Sequence, residues 1–478
     1  MSESDKEIEM YLRKYLIALV VFVALALVFD TYRINAEASV EKPENVIIMI
    51  ADGMGRDHID AANYYQYGEN NSQAYEGFPV SLYMSTYLAK KNNDDAEAWD
   101  QGYNTYLAWT DFDYLYHNPT GSAAAATAMS TGKKTYYRAI GVDVEKRPLY
   151  NITEKAKDMN KAAGVVTSVQ FSHATPAGFS VHNVHRHNYE EIAASMIVES
   201  ELDLIMGCGH PNFDGDGKPT SGGEYKYAGG RELWEQLIQN PVEFKLDDDI
   251  TKTVADIDSD GKPDAWTFIE KKEDFARLTE GKTPKRLIGI PQVAKTLQQE
   301  RSGDGDADAF EVPFTQTVPD LATMTKTAIN VLDNDPDGFF LMIEGGAVDW
   351  ASHDNQSGRM IEEMSDFNKA VDAVVKWVES NSSWDETLVI VTSDHECGYL
   401  CGPDSDPDHM PVVNNGKGKM PGMEWYHDGH TNQLVPFFAK GAGSNIFHLF
   451  ADEMDMQRGP YINNTEIAQA IFLLWGME

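Results

Sequence analysis

The chain has 478 residues, of which 42% are hydrophobic and 11% aromatic, so it is long enough to bury a sizeable core. Acidic residues outnumber basic residues 76 to 39, which gives a formal net charge of −37 at pH 7. A chain this acidic repels nucleic acid and anionic lipid, so we expect no nucleic-acid-binding surface. Three cysteines are too few for a disulfide framework, and whether Cys397 and Cys401 close a small loop is left open.

The N-terminal segment contains the unbroken apolar run "LIALVVFVALALVF" at residues 16–29, preceded by two basic residues. The run is short for a membrane span, and the sequence Ala-Glu-Ala at 36–38 fits a small-x-small cleavage site. We interpret residues 1–38 as a signal peptide, with an uncleaved signal anchor as the alternative because the first ten residues are acidic. We therefore expect residues 39–478 to be a periplasmic or secreted domain without a stable membrane span.

Short apolar runs alternate with longer amphipathic stretches along the rest of the chain. Six runs predict strands that are buried on both faces: 45–51, 163–169, 202–207, 339–344, 387–393 and 434–441. The clearest helix has apolar residues at three- and four-residue steps: Met360, Met364, Phe367, Val371, Val374 and Val378. This alternation predicts an α/β fold of three layers, α/β/α, with a largely parallel central sheet. Residues 210–312 are rich in Asp and Gly and indicate an elaborated insertion.

Three of the predicted strands run directly into side chains that can bind metal. These are Asp52 after the first strand, Glu344, Asp349 and His353 after the fourth, and Asp394 and His395 after the fifth. A single aspartate after a strand is usually a turn or helix cap. However, sites in open α/β sheets form beyond the carboxyl ends of the strands, so these side chains could converge. Imidazole with carboxylate suits zinc, whereas carboxylate with hydroxyl oxygen suits magnesium, and His427 and His430 offer further imidazoles before the last strand.

Residues 118–135, "NPTGSAAAATAMSTGKKT", place Ser122 at the start of a run of small helix formers that ends at Gly132. A helix N-terminus favours an anion such as phosphate, although a serine there can also simply cap the helix. Further along the chain, Thr175 supplies a hydroxyl suited to magnesium and Arg186 a guanidinium suited to phosphate. The sequence therefore offers a nucleophile and an anion clamp beside the metal-binding residues.

These motifs, in this order between residues 45 and 441, resemble those of the alkaline phosphatases. The resemblance implies a first zinc ion held by Asp349, His353 and His430. It implies a second zinc ion held by Asp52, Asp394 and His395, and also bound to Ser122. It implies a magnesium ion held by Asp52, Thr175 and Glu344, with Arg186 clamping the phosphate.

The implied activity is hydrolysis of phosphate monoesters through a phosphoserine formed on Ser122, in a chain that is a possible homodimer. Three positions depart from the family pattern. Gly121 stands where the bacterial type member has an aspartate that orients the arginine, so we expect Arg186 to be less well oriented. His173 and Trp350 replace residues found in some members, which bears on metal preference.

Two alternatives remain open at this stage. One is a phosphodiesterase of the same superfamily, and the other is a secreted divalent-cation-binding protein without activity. The second rests on "DIDSDGKPDAW", where Asp256, Asp258, Asp260 and Asp264 follow the opening of an EF-hand-like loop and are candidates for Ca²⁺ binding. No glutamate occupies the twelfth position, so a surface turn explains the loop equally well.

Overall fold

The computed structural model describes residues 42–89, 102–247, 249–258 and 260–477. The segment interpreted as a signal peptide, and the boundary at residues 38 and 39, lie outside these residues. Among the residues described, no helix is both long enough and apolar enough to cross a membrane.

A central sheet of eleven strands organises the described part of the chain, in the order β16-β17-β2-β15-β10-β1-β9-β3-β4-β8-β7. Its strands are β1 Asn45–Ala51, β2 Val80–Ser85, β3 Ala162–Gln170, β4 Leu204–Cys208, β7 Thr267–Ile269, β8 Leu287–Gly289, β9 Phe339–Gly345, β10 Thr387–Thr392, β15 Val435–Gly441, β16 Glu453–Asp455 and β17 Gly459–Asn463. All neighbouring pairs from β10 to β7 are parallel, whereas β15 is antiparallel to both of its neighbours. The predicted α/β fold with a largely parallel sheet is confirmed.

Three short strand pairs lie apart from this sheet. They are β5 Glu243–Asp247 with β6 Ile250–Thr253, β11 Glu396–Cys397 with β14 His430–Thr431, and β12 Leu400–Cys401 with β13 Glu424–Trp425. The second pair joins the segment after β10 to the segment before β15. It therefore brings His430 next to the carboxyl end of β10.

Helices cover both faces of the sheet because alternate residues of each buried strand point to opposite sides. In β1, Val46, Ile48 and Ile50 pack into one apolar cluster, and Ile47 and Met49 into the other. The α-helices are α1 Arg56–Gln66, α2 Leu107–Thr110, α3 Ser122–Thr131, α4 Ile152–Asp158, α5 Ala174–Gly178, α6 Tyr189–Ala194, α7 Arg231–Leu237, α8 Lys272–Arg277, α9 Leu321–Leu332, α10 Ala347–His353, α11 Ser357–Asn381, α12 Phe447–Phe450 and α13 Glu466–Leu474. Helices α3, α4, α5 and α13 cover the first face, and α1, α9 and α11 the second.

The region 210–312 combines an addition to the fold with part of its framework. The β5–β6 pair stands apart from the central sheet. However, β7 and β8 extend the sheet beyond β4 in parallel register, and Leu287 and Ile288 of β8 are fully buried. These strands are too short for an apolar run to reveal them in the sequence.

All three cysteines of the chain, Cys208, Cys397 and Cys401, are buried free thiols. The small disulfide loop considered for Cys397 and Cys401 is therefore absent. The two residues belong to different strand pairs, with Cys397 opposite His430 and Cys401 opposite Glu424, and this pairing holds them apart.

Candidate active site

The carboxyl ends of β1, β9 and β10 carry the charged residues that the sequence places after these strands. Strand β1 lies between β9 and β10, with Ile50 in register with both Glu344 and Thr392. Asp52 follows β1, Glu344 is in β9, and Asp394 follows β10, so the three carboxylates lie side by side at one edge of the sheet. All three are at most 1% exposed.

One group of possible ligands consists of Asp349, His353 and His430. The Nε2 atoms of His353 and His430 are 3.0 Å apart and lie 3.5 Å and 3.3 Å from Oδ1 of Asp349. Each Nδ1 faces a backbone carbonyl, that of Asp428 at 2.5 Å for His353 and that of Thr120 at 2.8 Å for His430. When each Nδ1 carries the proton and donates a hydrogen bond to its carbonyl, each Nε2 keeps a free lone pair. Both lone pairs are then directed at the same point, which is the arrangement found in metal-binding histidines.

A second group consists of Asp52, Asp394 and His395. Nε2 of His395 is 3.5 Å from Oδ1 of Asp52 and 3.2 Å from Oδ2 of Asp394. The backbone N–H groups of Gly53 and His395 donate to the other oxygen of Asp394, at 3.2 Å and 3.0 Å. The His395 ring stacks on that of His430 with centroids 3.6 Å apart, so the two groups adjoin.

Glu344 and Thr175 lie at the inner side of the same cluster, both fully buried. Thr167 of β3 donates its hydroxyl to Oε2 of Glu344. Burial raises the pKa of Glu344 to about 7 and that of Asp394 to about 6. The pKa of Asp52 is raised well above its usual value, mainly by burial and next by the negative charge of the nearby Asp394 carboxylate. These carboxyl groups do not ionise together readily without a compensating cation.

A second observation indicates that these residues fit bound cations. One or both side-chain oxygens of Asp52, Thr175, Glu344, Asp349 and Asp394 are buried without a hydrogen-bond partner. Buried polar atoms are almost always satisfied in folded proteins, and a buried carboxylate is paired or coordinates a metal. Oxygens and imidazole nitrogens in these proportions are a donor set for zinc and magnesium.

Ser122 is the first residue of α3, whose ten residues are all buried. The cap of this helix is Gly121, in extended conformation, and no side chain accepts from the free N–H groups. The alternative role of Ser122 as a helix cap is therefore not observed. Its Oγ instead lies 3.4 Å from Nε2 of His395. The hydroxyl thus faces the second ligand group at a helix N-terminus, where the helix dipole favours an anion.

Arg186 faces the same cavity, which has a volume of about 740 Å³. Its Nη2 atom lies 3.2 Å from Nε2 and 3.5 Å from Nδ1 of His173. Burial, followed by the charge of Arg186, lowers the pKa of His173 to about 3, so the imidazole is neutral and can accept a hydrogen bond. The weaker orientation of Arg186 expected from Gly121 stays a prediction, but the guanidinium does have a side-chain contact. His173 is the partner.

The structure also brings to this site residues that the sequence did not assign to it. Cys397 has its thiol among the donor atoms of the Asp349 group, and Thr167 contacts Glu344. Tyr116, Tyr137 and Tyr189 line the cavity. In the sequence, the indication that Cys397 belongs to this site is its position three residues after Asp394. By contrast, His427 does not join the ligands but stacks on Tyr116, with ring centroids 4.6 Å apart.

The Asp-rich loop contains three nearby carboxylates, those of Asp256, Asp258 and Asp260. Lys285 forms ion pairs with Asp258 and with Asp264, the latter at 2.6 Å. An ammonium group already neutralises part of this loop, and Ca²⁺ binding here stays a prediction.

The fold and this edge of the sheet together define an α/β protein with candidate metal-binding groups at the carboxyl ends of its parallel strands. The alkaline phosphatase family model matches residues 43–435. Alkaline phosphatase 3 of Bacillus subtilis is 30% identical over 90% of this chain and 88% of its own length. Alkaline phosphatase of Escherichia coli is 27% identical over 79% of this chain and 75% of its own. The chain belongs to the alkaline phosphatase family.

Solved structures agree on the fold. The alkaline phosphatase from the Antarctic bacterium TAB5 superposes with a TM-score of 0.59 at 24% identity, covering 91% of this chain and 99% of that one. A histidine-to-aspartate mutant of the TAB5 enzyme has magnesium bound in its M3 site.

Proposed function

We propose that the protein hydrolyses phosphate monoesters to an alcohol and inorganic phosphate through a phosphoserine on Ser122. The observation that carries the proposal is the position of the Ser122 hydroxyl. It lies at an uncapped helix N-terminus, 3.4 Å from His395, in a cavity shared with Arg186 and the ligand groups. A nucleophile, an anion clamp and cation ligands in one cavity are the requirements of phosphoryl transfer.

Each residue has a definite task in this reaction. The guanidinium of Arg186 holds two phosphoryl oxygens, and His173 contacts this guanidinium. Ser122 Oγ forms a bond to phosphorus as the ester P–O bond breaks, which releases the alcohol. Water then cleaves the phosphoserine and releases inorganic phosphate, restoring the hydroxyl of Ser122.

The proposed cations are two Zn²⁺ ions and one Mg²⁺ ion. Asp349, His353 and His430 would hold one zinc ion, and Asp52, Asp394 and His395 the other. Asp52, Thr175 and Glu344 would hold magnesium, for which the M3 site of the TAB5 mutant is supporting evidence. When bound, the ions supply Lewis-acid stabilisation of the negative charge on the reacting oxygens.

The first test compares Ser122→Ala with the parent protein. We expect the variant to form no phosphoenzyme with excess phosphate at acidic pH and to lose nearly all p-nitrophenyl phosphate hydrolysis. Its zinc and magnesium content should stay nearly unchanged, because the other ligands remain. Phosphate labelling that persists in the variant would assign the nucleophile to another residue.

Two further measurements separate this function from its rivals. Exhaustive chelation should abolish activity, and zinc with magnesium should restore it, whereas full activity after confirmed metal loss contradicts the proposal. A diester that is cleaved faster than a monoester by the same preparation would indicate a phosphodiesterase. Metal binding with no hydrolysis of either ester would indicate a cation-binding protein.

A further inference from the structure

A separate group of metal-capable side chains lies outside the candidate active site. Asp57, Cys401 and His409 each place one donor atom within 4.8 Å of the donor atoms of the other two. Nε2 of His409 is 3.1 Å from Oδ2 of Asp57. We call these three residues the Asp57 cluster. Its carboxylate oxygen comes from α1, and its sulfur and imidazole nitrogen come from β12 and the loop that follows it.

The backbone holds these segments in place without help from a cation. Asp57 is in the first turn of α1, and Cys401 is in β12. The loop that carries His409 is tied back to β12, because Gly402 N–H donates to the carbonyl of Met410 at 2.7 Å. Met410 N–H donates to the hydroxyl of Ser405 at 3.0 Å, which closes the loop a second time. The donor atoms are therefore preorganised.

The surroundings of the cluster suit a bound ion with one open coordination position. Cys401 is fully buried and Asp57 is 4% exposed. Asp57 and His409 also line a cavity of about 410 Å³ whose other walls include Arg56, Trp109 and Arg458. An ion held by the three residues thus has a path to solvent and room for a fourth ligand.

We propose that Asp57, Cys401 and His409 bind a zinc ion that is distinct from the cations of the active site. A thiolate and an imidazole select a borderline-soft metal, whereas calcium and magnesium prefer all-oxygen ligands. Three protein ligands leave the fourth tetrahedral position to water or a small anion from the cavity. The ion joins α1, which begins four residues after Asp52, to the segment that follows His395. It therefore clamps two segments that lead away from the active site.

The test starts from protein that has been chelated and whose active-site cations have then been restored. Zinc or cobalt is added to this holoprotein, one metal at a time. The parent should bind one equivalent more zinc than Cys401→Ser or His409→Gln. With cobalt, the parent should show thiolate-to-metal charge-transfer absorption that Cys401→Ser lacks. His409→Gln changes a partly exposed loop residue, so the test survives if replacing the buried Cys401 prevents folding.

The other two cysteines provide matched controls. Cys208→Ser, in β4, should keep both the extra equivalent and the cobalt absorption. Cys397→Ser removes the thiol near the Asp349 group and should also keep them. Equal metal content in the parent and His409→Gln would overturn the proposal. So would cobalt absorption that survives in Cys401→Ser and disappears in Cys397→Ser, because the thiol ligand would then belong to the active site.

Discussion

At the scale of single residues, the contact between Arg186 and His173 explains how the arginine is positioned when residue 121 is a glycine. His173 is itself held by ring contacts with Tyr189 and Trp350, at centroid distances of 6.3 Å and 5.7 Å. A neutral imidazole orients the guanidinium less strongly than a carboxylate would, because the hydrogen bond is charge-assisted on one side only. Arg186 is therefore oriented, but by a weaker partner than in the type member.

This contact predicts the outcome of a double-mutant cycle. His173→Ala should weaken inhibition by inorganic phosphate by roughly fivefold, about 1 kcal/mol, since Arg186 must then lose side-chain freedom on binding. Gly121→Asp should restore the affinity for inorganic phosphate in the His173→Ala background and should increase that affinity less in the parent. The backbone of Gly121 is extended, and the three atoms nearest to an added Cβ all belong to the ring of Tyr137, the closest at 3.0 Å, so the aspartate fits once this ring shifts by a few tenths of an ångström. Additive effects of the two changes on the phosphate inhibition constant would contradict the coupling.

A buried carboxyl group that is not among the candidate ligands predicts a pH dependence of stability. Burial raises the pKa of Glu363 in α11 from 4.5 to about 8, and one of its oxygens has no hydrogen-bond partner. Between about pH 4.5 and about pH 8, the folded protein still binds this proton, whereas the unfolded chain has released it. The stability that comes from binding the proton is therefore lost as the pH rises through about 8.

Glu363→Gln removes that proton equilibrium. We expect the variant to be more stable than the parent above about pH 8, on the order of 5 kcal/mol, and the difference to shrink as the pH falls toward about 5. Urea unfolding at several pH values measures this. Glu379→Gln, at an exposed position of the same helix, is the control and should follow the parent. A constant difference at all pH values would show that Glu363 acts through packing instead.

At the scale of elements, α3 and α5 pack backbone against backbone, and this contact sets the position of Ser122 relative to Thr175. A Cβ at Gly178 of α5 would lie 2.7 Å from Cβ of Ala126 in α3, closer than carbon atoms pack. The run of alanines in α3 is therefore a packing requirement as much as a helix signal.

Gly178→Ala should destabilise the protein by about 1–3 kcal/mol through overpacking, which exceeds the gain of about 0.5–1 kcal/mol that alanine usually gives in a helix. Because the clash pushes apart the elements that carry Ser122 and Thr175, the turnover number should also fall about tenfold. Gly222→Ala, where nothing lies within 4 Å of an added Cβ, is the control. Unchanged stability and turnover in Gly178→Ala would show that α5 can shift freely.

The elements show what the sequence can and cannot predict. The parallel strands β1, β9 and β10 are buried on both faces, so unbroken apolar runs reveal them and the carboxylates at their ends. Strands β7 and β8 have three residues each, too few for such a run. The placement of Thr167 and Cys397 at the site, and the contact of Arg186 with His173, depend on which side chains meet in the folded chain. A single sequence does not contain that information.

At the scale of the whole molecule, the net charge of −37 opposes compactness through self-repulsion. The first additions of sodium chloride to a low-salt buffer should therefore raise the melting temperature of the metal-loaded protein, because screening weakens this repulsion. An uncharged osmolyte at matched osmolality separates screening from solvent exclusion. A melting temperature that falls as salt is first added would show that attractive ion pairs outweigh the repulsion.

The pairing of β1 with β9 and β10 also has a consequence for biosynthesis. Gly53 and Asp394, which hydrogen-bond at the active site, are 341 residues apart in the chain. A ribosome that has translated as far as α9 has made Asp52, Ser122 and Arg186 but none of the partners from β9 and β10. The second ligand group is incomplete until His395 has emerged, and the first until His430 has. Contacts of such long sequence separation form late in folding. If the proposed cations bind, they would therefore enter a nearly finished polypeptide, because the nascent chain has no complete site with which to capture them.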